Sequence, residues 1–475
     1  MPLIKEEIFF SSVRELAAKI KSRQISPVEL AEGYIDRLER IGPKLGAVAT
    51  ITKELGLKEA RAAEREIKNG RYRGPLHGIP YGVKDLLATA GIPTTWGAAP
   101  YKNQIFDHDA TVVTRLRAAG AVLIAKLAMI ELAGGLGYNN PDASWSGPTR
   151  TPWNTGFWSG GSSSGPGAAT AAGLVGFSIG SETSGSIVTP SAYCGLSGLR
   201  PTYGRVSRHG AMALSWTLDK LGPICRAADD CGIVLSAIAG PDQADPTAAS
   251  RSFSHINAAR PAKRFKIGVL KNATNGVHPE VKKNFEESLK VLTEFADLDY
   301  NAEFPADLPY GVVSTIVAAE GASAFRDLIE SGKVLELQMS RDRIGGFTNM
   351  TIFAVDYIDA MRARVRVHKA MDDICCKYDA VVAPSRGTVA SPIDVDFDKA
   401  YPELRNSPGS AAPSVIAAGN LAGQPAISVP NGFGQNNLPT GIQFQGRAFS
   451  EEKLLEIAQA YQKATDWHLK HPQNL

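Results

Sequence analysis

The run Trp158-Ser159-Gly160-Gly161-Ser162-Ser163-Ser164-Gly165-Pro166-Gly167, followed by Gly180-Ser181-Glu182-Thr183-Ser184-Gly185-Ser186, constrains this chain more than any other stretch. Serine and glycine at such density ordinarily mark a flexible linker, because they bury little and resist ordering. A linker, however, separates two domains, whereas residues 168–180 between the two runs are small and apolar. The pattern therefore predicts a rigid loop leading into a buried helix. In such a loop glycines let backbone amides approach a ligand, and serines supply hydroxyls.

Around this centre the chain alternates helical and strand-like segments. Ser26-Pro27-Val28-Glu29 is a capping box with proline at the first helical position. Leu30, Tyr34, Leu38 and Ile41 then recur at helical spacing up to Gly42, and residues 58–69 read as a second, charged helix. The first sixty residues are thus predicted to be helical, arms that could cover the core or mediate oligomerisation; a homodimer is the assembly this suggests. Past Gly74, residues 77–85 read as a strand ending on Lys84-Asp85, and a helix from Asp109 to Gly120 leads into the strand Ala121–Ala125. The segment Tyr138 to Trp158, with three tryptophans, reads as a long ordered loop. Residues 265–270, 378–384, 425–430 and 441–446 read as further strands, 281–295 as a helix, and Ser450 as the cap of a last helix reaching about Trp467. The expected fold class is α/β, with a mixed central β-sheet covered by helices on both faces. The chain reads as one domain over 1–475, made of a helical arm (1–73), a core (74–240) and an α/β portion (241–475) that completes the sheet.

Composition excludes several function classes. A net charge of +3 on 475 residues is too small to suggest a nucleic-acid or membrane partner. Five cysteines (Cys194, Cys225, Cys231, Cys375, Cys376) without a C-x-x-C pair suggest buried thiols and neither a disulfide framework nor a zinc site. No metal and no cofactor is expected. The N-terminal MPLIKEEIFF carries charges where a signal peptide needs an apolar core. Lys126 and Glu131 interrupt the most apolar stretch, residues 118–136, so a cytoplasmic location is expected.

Three chemistries could use the serines. A phosphate-binding loop needs lysine where Ser186 stands, and fails. Gly161 to Gly165 matches the G-x-S-x-G elbow formally, but an elbow follows an apolar strand, and Pro152 to Trp158 is not one. The third is a resemblance. Gly78-Ile79-Pro80 through Lys84-Asp85, Gly160-Gly161-Ser162-Ser163, Gly185-Ser186-Ile187, Gly198 to Gly204, Leu218 to Pro223 and Asn420 to Pro430 stand in the order found in the amidase signature family of serine hydrolases. The chain resembles that family from about residue 25 to 465. One glycine motif would say little, but several in register across hundreds of residues are specific.

The resemblance implies the amidase signature fold and a Ser-cis-Ser-Lys triad, carried over onto Ser186 as nucleophile, Ser162 as bridging serine and Lys84 as base. It places the oxyanion hole on the backbone N–H groups of Thr183, Ser184, Gly185 and Ser186. A lysine can act as base only when burial lowers its pKa from about 10.4 towards neutrality. The hydroxyls of Ser163 and Ser164 are read as helix N-caps, and His77 and His108 as structural. The expected activity is hydrolysis of a small, aryl or apolar carboxylic amide through an acyl-enzyme, extending to carbamates or esters. Two alternatives stand beside it: the glutaminase component of a tRNA-dependent amidotransferase, and a non-catalytic binding protein. Gly135, Tyr138 and Trp158 are candidate pocket residues. The chain departs from the family pattern at Glu182 (often aspartate), Ser184-Gly185 (often two glycines) and Val188 (often arginine), which puts transfer of substrate preference in doubt.

Overall fold

The computed structural model describes residues 4–255, 264–405 and 415–473. Eleven strands form one sheet: β1 (Val48–Ile51), β2 (Pro80–Lys84), β3 (Val122–Leu127), β4 (Phe177–Glu182), β5 (Ser197–Arg200), β6 (Lys220–Cys225), β7 (Phe265–Leu270), β8 (Ala296–Ala302), β9 (Ala380–Pro384), β10 (Ala426–Phe433) and β11 (Pro439–Gln445). Their order is β1-β3-β2-β4-β6-β5-β10-β11-β9-β7-β8. Strands β2, β3 and β4 run parallel, as do β7, β8 and β9, while β4/β6, β5/β6, β5/β10, β10/β11 and β9/β11 are antiparallel. The sheet is mixed, and helices flank it. The central strands are buried along their whole length, which explains their runs of apolar and small residues in place of strict alternation. Tyr81 of β2 and Phe177 of β4 stack across the sheet with ring centroids 5.2 Å apart.

Local sequence accounts for most element ends. The Ser26 hydroxyl accepts from Glu29 N at 3.0 Å, and the Glu29 carboxylate accepts from Ser26 N at 3.0 Å, closing the expected capping box. That helix, however, runs through Gly42 and Pro43 to Leu45 and stops at Gly46, whose left-handed φ of 60° reverses the chain. The expectation of a purely helical first segment is corrected as well. Val48–Ile51 pairs antiparallel with β3 and forms an edge of the sheet. At the end of the first serine-glycine run, Ser164–Ala171 is a buried helix, and β4 begins at Phe177. The last helix ends at Ala464, short of Trp467, and the Ser450 side chain does not cap it. Four cysteines are buried, and Cys376 is exposed. Among the described residues no helix is long and apolar enough to cross a membrane.

Candidate functional site

Lys84 is the last residue of β2 and Glu182 the last of β4. Because these strands are parallel neighbours, their C-terminal ends open side by side, the place where sheets of this kind hold ligands. Two loops meet there. The first, residues 158–163, enters the helix that starts at Ser164. Its Gly161–Ser162 peptide is cis, and the Ser162 carbonyl accepts from Ile130 N at 3.2 Å. A Cβ on Gly161 would stand 2.6 Å from Trp158 Cζ2, so only glycine fits against the indole. Ser163 and Ser164 do not cap the helix with their side chains. Ser163 Oγ instead donates to the Ser181 carbonyl at 3.2 Å and accepts from Ser181 N at 3.3 Å, which pins the loop to β4.

The buried Lys84 amine donates to Ser162 Oγ at 2.7 Å and to Ser181 Oγ at 2.9 Å. Burial lowers its pKa from the ordinary 10.5 to about 7, against the opposing pull of Asp219 and Glu182. An amine in that range exchanges its proton near neutral pH. Ser181 was not among the residues expected from the sequence. Its signal lay in the strand pairing: it stands on β4 two residues past Ile179, which pairs with Val83 next to Lys84.

The second loop follows β4. Burial alone would raise the Glu182 carboxyl, but Arg200, the Asn420 amide and the Val188 N–H bring its pKa down to about 2. One carboxylate oxygen accepts from Arg200 Nη1 and Asn420 Nδ2, each at 2.9 Å. The other accepts from Ile187 N at 2.8 Å and Val188 N at 3.0 Å. Glu182 thereby occupies the amides just past Ser186. The four amides before them are left over: among the described residues, the N–H groups of Thr183, Ser184, Gly185 and Ser186 donate to no protein acceptor. Gly185 sits at φ 95°, a conformation that turns the loop and that side chains rarely adopt. The half-buried Ser186 hydroxyl is likewise without a partner among the described residues, so the 2.7 Å contact from Lys84 reaches Ser162 but is not continued to Ser186 by a hydrogen bond. Thr183 Oγ1 donates to the buried Asp219 at 2.6 Å, fixing the start of the loop.

A cleft of about 790 Å³ opens beside this loop, with Gly135, Tyr138 and Ser184 in its wall. Two distant helices make the opposite side, with Val313, Val317, Ala318 and Ile344 beside Ser314, Ser340, Thr348 and Asn349, and Arg341 is the one charged residue among its described lining. Of the three candidate pocket residues, Gly135 and Tyr138 line this cleft. Trp158 does not: it is buried behind it, its ring centroid 4.6 Å from that of Phe397 and 6.3 Å from that of Tyr138. His77 is buried with Nδ1 accepting from Arg73 N, and His108 is paired with Asp107; neither touches these loops. Among the described residues no group of three or more His, Cys, Asp or Glu side chains could hold a metal ion.

The sequence model of the family described as Amidase matches residues 29–455. The chain belongs to the amidase signature family. A relative from Carboxydothermus hydrogenoformans, the A subunit of a glutamyl-tRNA(Gln) amidotransferase, is 36% identical over 98% of this chain and 99% of its own. The solved peptide amidase of Stenotrophomonas maltophilia is 30% identical, covers 95% of this chain and 96% of its own, and superposes with a TM-score of 0.82. A bacterial aryl acylamidase, 23% identical with a TM-score of 0.85 over 97% of this chain and 98% of its own, shares the fold. The amidase fold thus extends over nearly the whole length, and the family acts on carbon–nitrogen bonds.

Proposed function

We propose that the chain hydrolyses a carboxamide through an acyl-enzyme on Ser186. The observation that carries this reading is the buried Lys84 amine, near neutral pKa and 2.7 Å from Ser162, beside a row of unoccupied amides that ends at Ser186. In the first step Ser186 Oγ attacks the carbonyl carbon. Its proton passes to Ser162 as the Ser162 proton passes to Lys84. The Ser162–Ser186 hydrogen bond forms when substrate closes the site, as catalytic contacts commonly do. The carbonyl oxygen, now an oxyanion, takes the free N–H groups of residues 183–186; one such donor contributes about 3 kcal/mol in comparable sites. The leaving nitrogen collects the proton back from Lys84 by the same route, and water then hydrolyses the ester.

Two observations pull the choice of amide apart. Similarity favours glutamine: the curated relative at 36% identity is the A subunit of an amidotransferase, and by similarity alone that is the better supported reading. It would bring partner subunits and a tRNA, against the expectation of no nucleic-acid partner. The cleft favours a free-standing amide with a largely apolar acyl chain. Its described lining sets Leu136, Val313, Val317, Ala318 and Ile344 among glycines and a few serine, threonine and asparagine side chains, with no acidic side chain to receive the α-ammonium of glutamine. Ammonia or amine release from glutamine, aliphatic and aryl amides, carbamates and esters, by the protein and by Ser186→Ala, tests both. Turnover of aliphatic or aryl amides lost in Ser186→Ala supports the free-standing reading. Turnover confined to glutamine supports the amidotransferase one, and activity surviving in Ser186→Ala ends both.

A further inference from the structure

Arg341 stands in the cleft wall with its guanidinium unpaired. Its Cγ lies 3.9 Å from where a Cβ on Gly137 would be, which sets the side chain over the glycine-rich floor. Among the described residues it makes no hydrogen bond and no ion pair. The next residue, Asp342, forms no ion pair with it: that side chain is buried, and burial together with Glu131 raises its carboxyl, with Arg341 only opposing the rise. A second guanidinium lies near Tyr138, outside the cleft's described lining. Arg386, two residues past β9, also lacks an ion pair among the described residues, and its Nε is buried without a partner. It lies close enough to Tyr138 to oppose the burial that pushes the phenol up to about 12. None of residues 1–3, 256–263, 406–414 and 474–475 is aspartate or glutamate, so no side-chain carboxylate from those segments is available to either arginine.

Elsewhere some arginines bond only backbone carbonyls, as Arg115, Arg226 and Arg364 do, and others hold carboxylates, as Arg200, Arg205, Arg117 and Arg14 do. Arg341, exposed at the cleft that begins at Ser184 and the one charged residue of its described lining, is left for an anion that arrives with the substrate. We infer that the substrate is an amide whose far end carries a carboxylate, held by Arg341, while its chain passes Val313, Val317 and Ile344 to place the carbonyl at Ser186. This deepens the reading under Proposed function and rests on it for the position of the carbonyl. The planar guanidinium suits a carboxylate because it can offer two parallel N–H donors. A site built to pair a charged group also discriminates strongly against an analogue that lacks it.

The test compares three amides of matched length: glutaramate (carboxylate end), pentanamide (neutral end) and 5-aminopentanamide (ammonium end). The parent protein should prefer glutaramate to pentanamide by at least about tenfold in kcat/KM, with 5-aminopentanamide poorest. In Arg341→Leu the glutaramate-to-pentanamide ratio should fall towards one, mainly through KM. Arg341→Glu should invert the order in favour of 5-aminopentanamide. Loss of fold lowers all three substrates together and leaves their ratio unmoved, so the ratio reads charge recognition alone. No preference in the parent, or a ratio that survives both Arg341 variants, overturns the inference. Calorimetric binding of glutarate to Ser186→Ala separates it from the hydrolase reading. Glutarate that binds and is released by adding Arg341→Leu, with no amide turned over, leaves the anion site standing and removes the hydrolase. Amide turnover with no glutarate binding does the reverse.

Discussion

Replacing Lys84 by methionine makes the clearest physical prediction. The amine is buried, and its pKa falls from 10.5 unfolded to about 7 folded, burial being the main cause. Below pH 7 both states carry the proton, so the folded state bears the full cost of a buried charge, about 5 kcal/mol at 1.36 kcal/mol per pKa unit. Between 7 and 10.5 the unfolded chain binds the extra proton, so stability rises with pH in that window. At pH 9 the residual cost is about 2 kcal/mol on the same scale. Methionine has a similar volume and does not titrate. Its stability relative to the parent should therefore be about 3 kcal/mol more favourable at pH 6 than at pH 9. The hydroxyls of Ser162 and Ser181, left without the amine, impose a penalty that does not change with pH and cancels in this difference. Urea unfolding of both proteins at the two pH values measures it. A difference that is the same at pH 6 and pH 9, or that runs the other way, refutes the claim of a buried, readily deprotonated amine.

The same amine sets the kinetics: kcat/KM of the parent should climb with pH through about 7 and level off above it, and a flat profile from pH 6 to 9 would point to another base. Glu182→Gln removes the anion paired with buried Arg200 and should destabilise by about 3–5 kcal/mol in urea unfolding at neutral pH. Because the Glu182 carboxyl titrates near 2 when folded, its stabilisation is complete above the unfolded value of 4.5 and lost as pH falls through about 2, so the deficit of the variant should shrink over that range. Gly185→Ala forces a Cβ into a φ of 95°, with Ile416 Cγ2 at 3.2 Å, and should cost about 1–2 kcal/mol of stability while lowering kcat, since it turns the amides on either side of it.

The parts of the molecule governed by short-range chemistry were legible in the residues. The capping box at Ser26 and Glu29 forms as its spacing requires. Strands such as β7 and β9 follow their apolar runs because burial on both faces leaves no other pattern to write. Lys84 and Ser162, 78 residues apart in the chain, meet at 2.7 Å. What escaped depends on long-range partners or weak local signal. Val48–Ile51 is four residues between two helices, and only β3 makes it a strand. The run 168–180 is so uniformly small that no period marks where the helix ends at Ala171 and β4 begins. Ser163 looked like a cap because serine commonly is one, but β4 lies near enough to take its hydroxyl. The far wall of the cleft comes from residues 313–349, which carry no motif, and Trp158 is turned away from it by packing on Phe397.

The central claim is that Ser186 is the nucleophile, activated by Lys84 through Ser162. Treatment with a fluorophosphonate, followed by intact mass and peptide mapping, tests it most directly. One adduct on Ser186, absent in Ser186→Ala and slowed by orders of magnitude in Lys84→Met, is the expected result. An adduct on another residue, or undiminished amide turnover by Ser186→Ala, would contradict it.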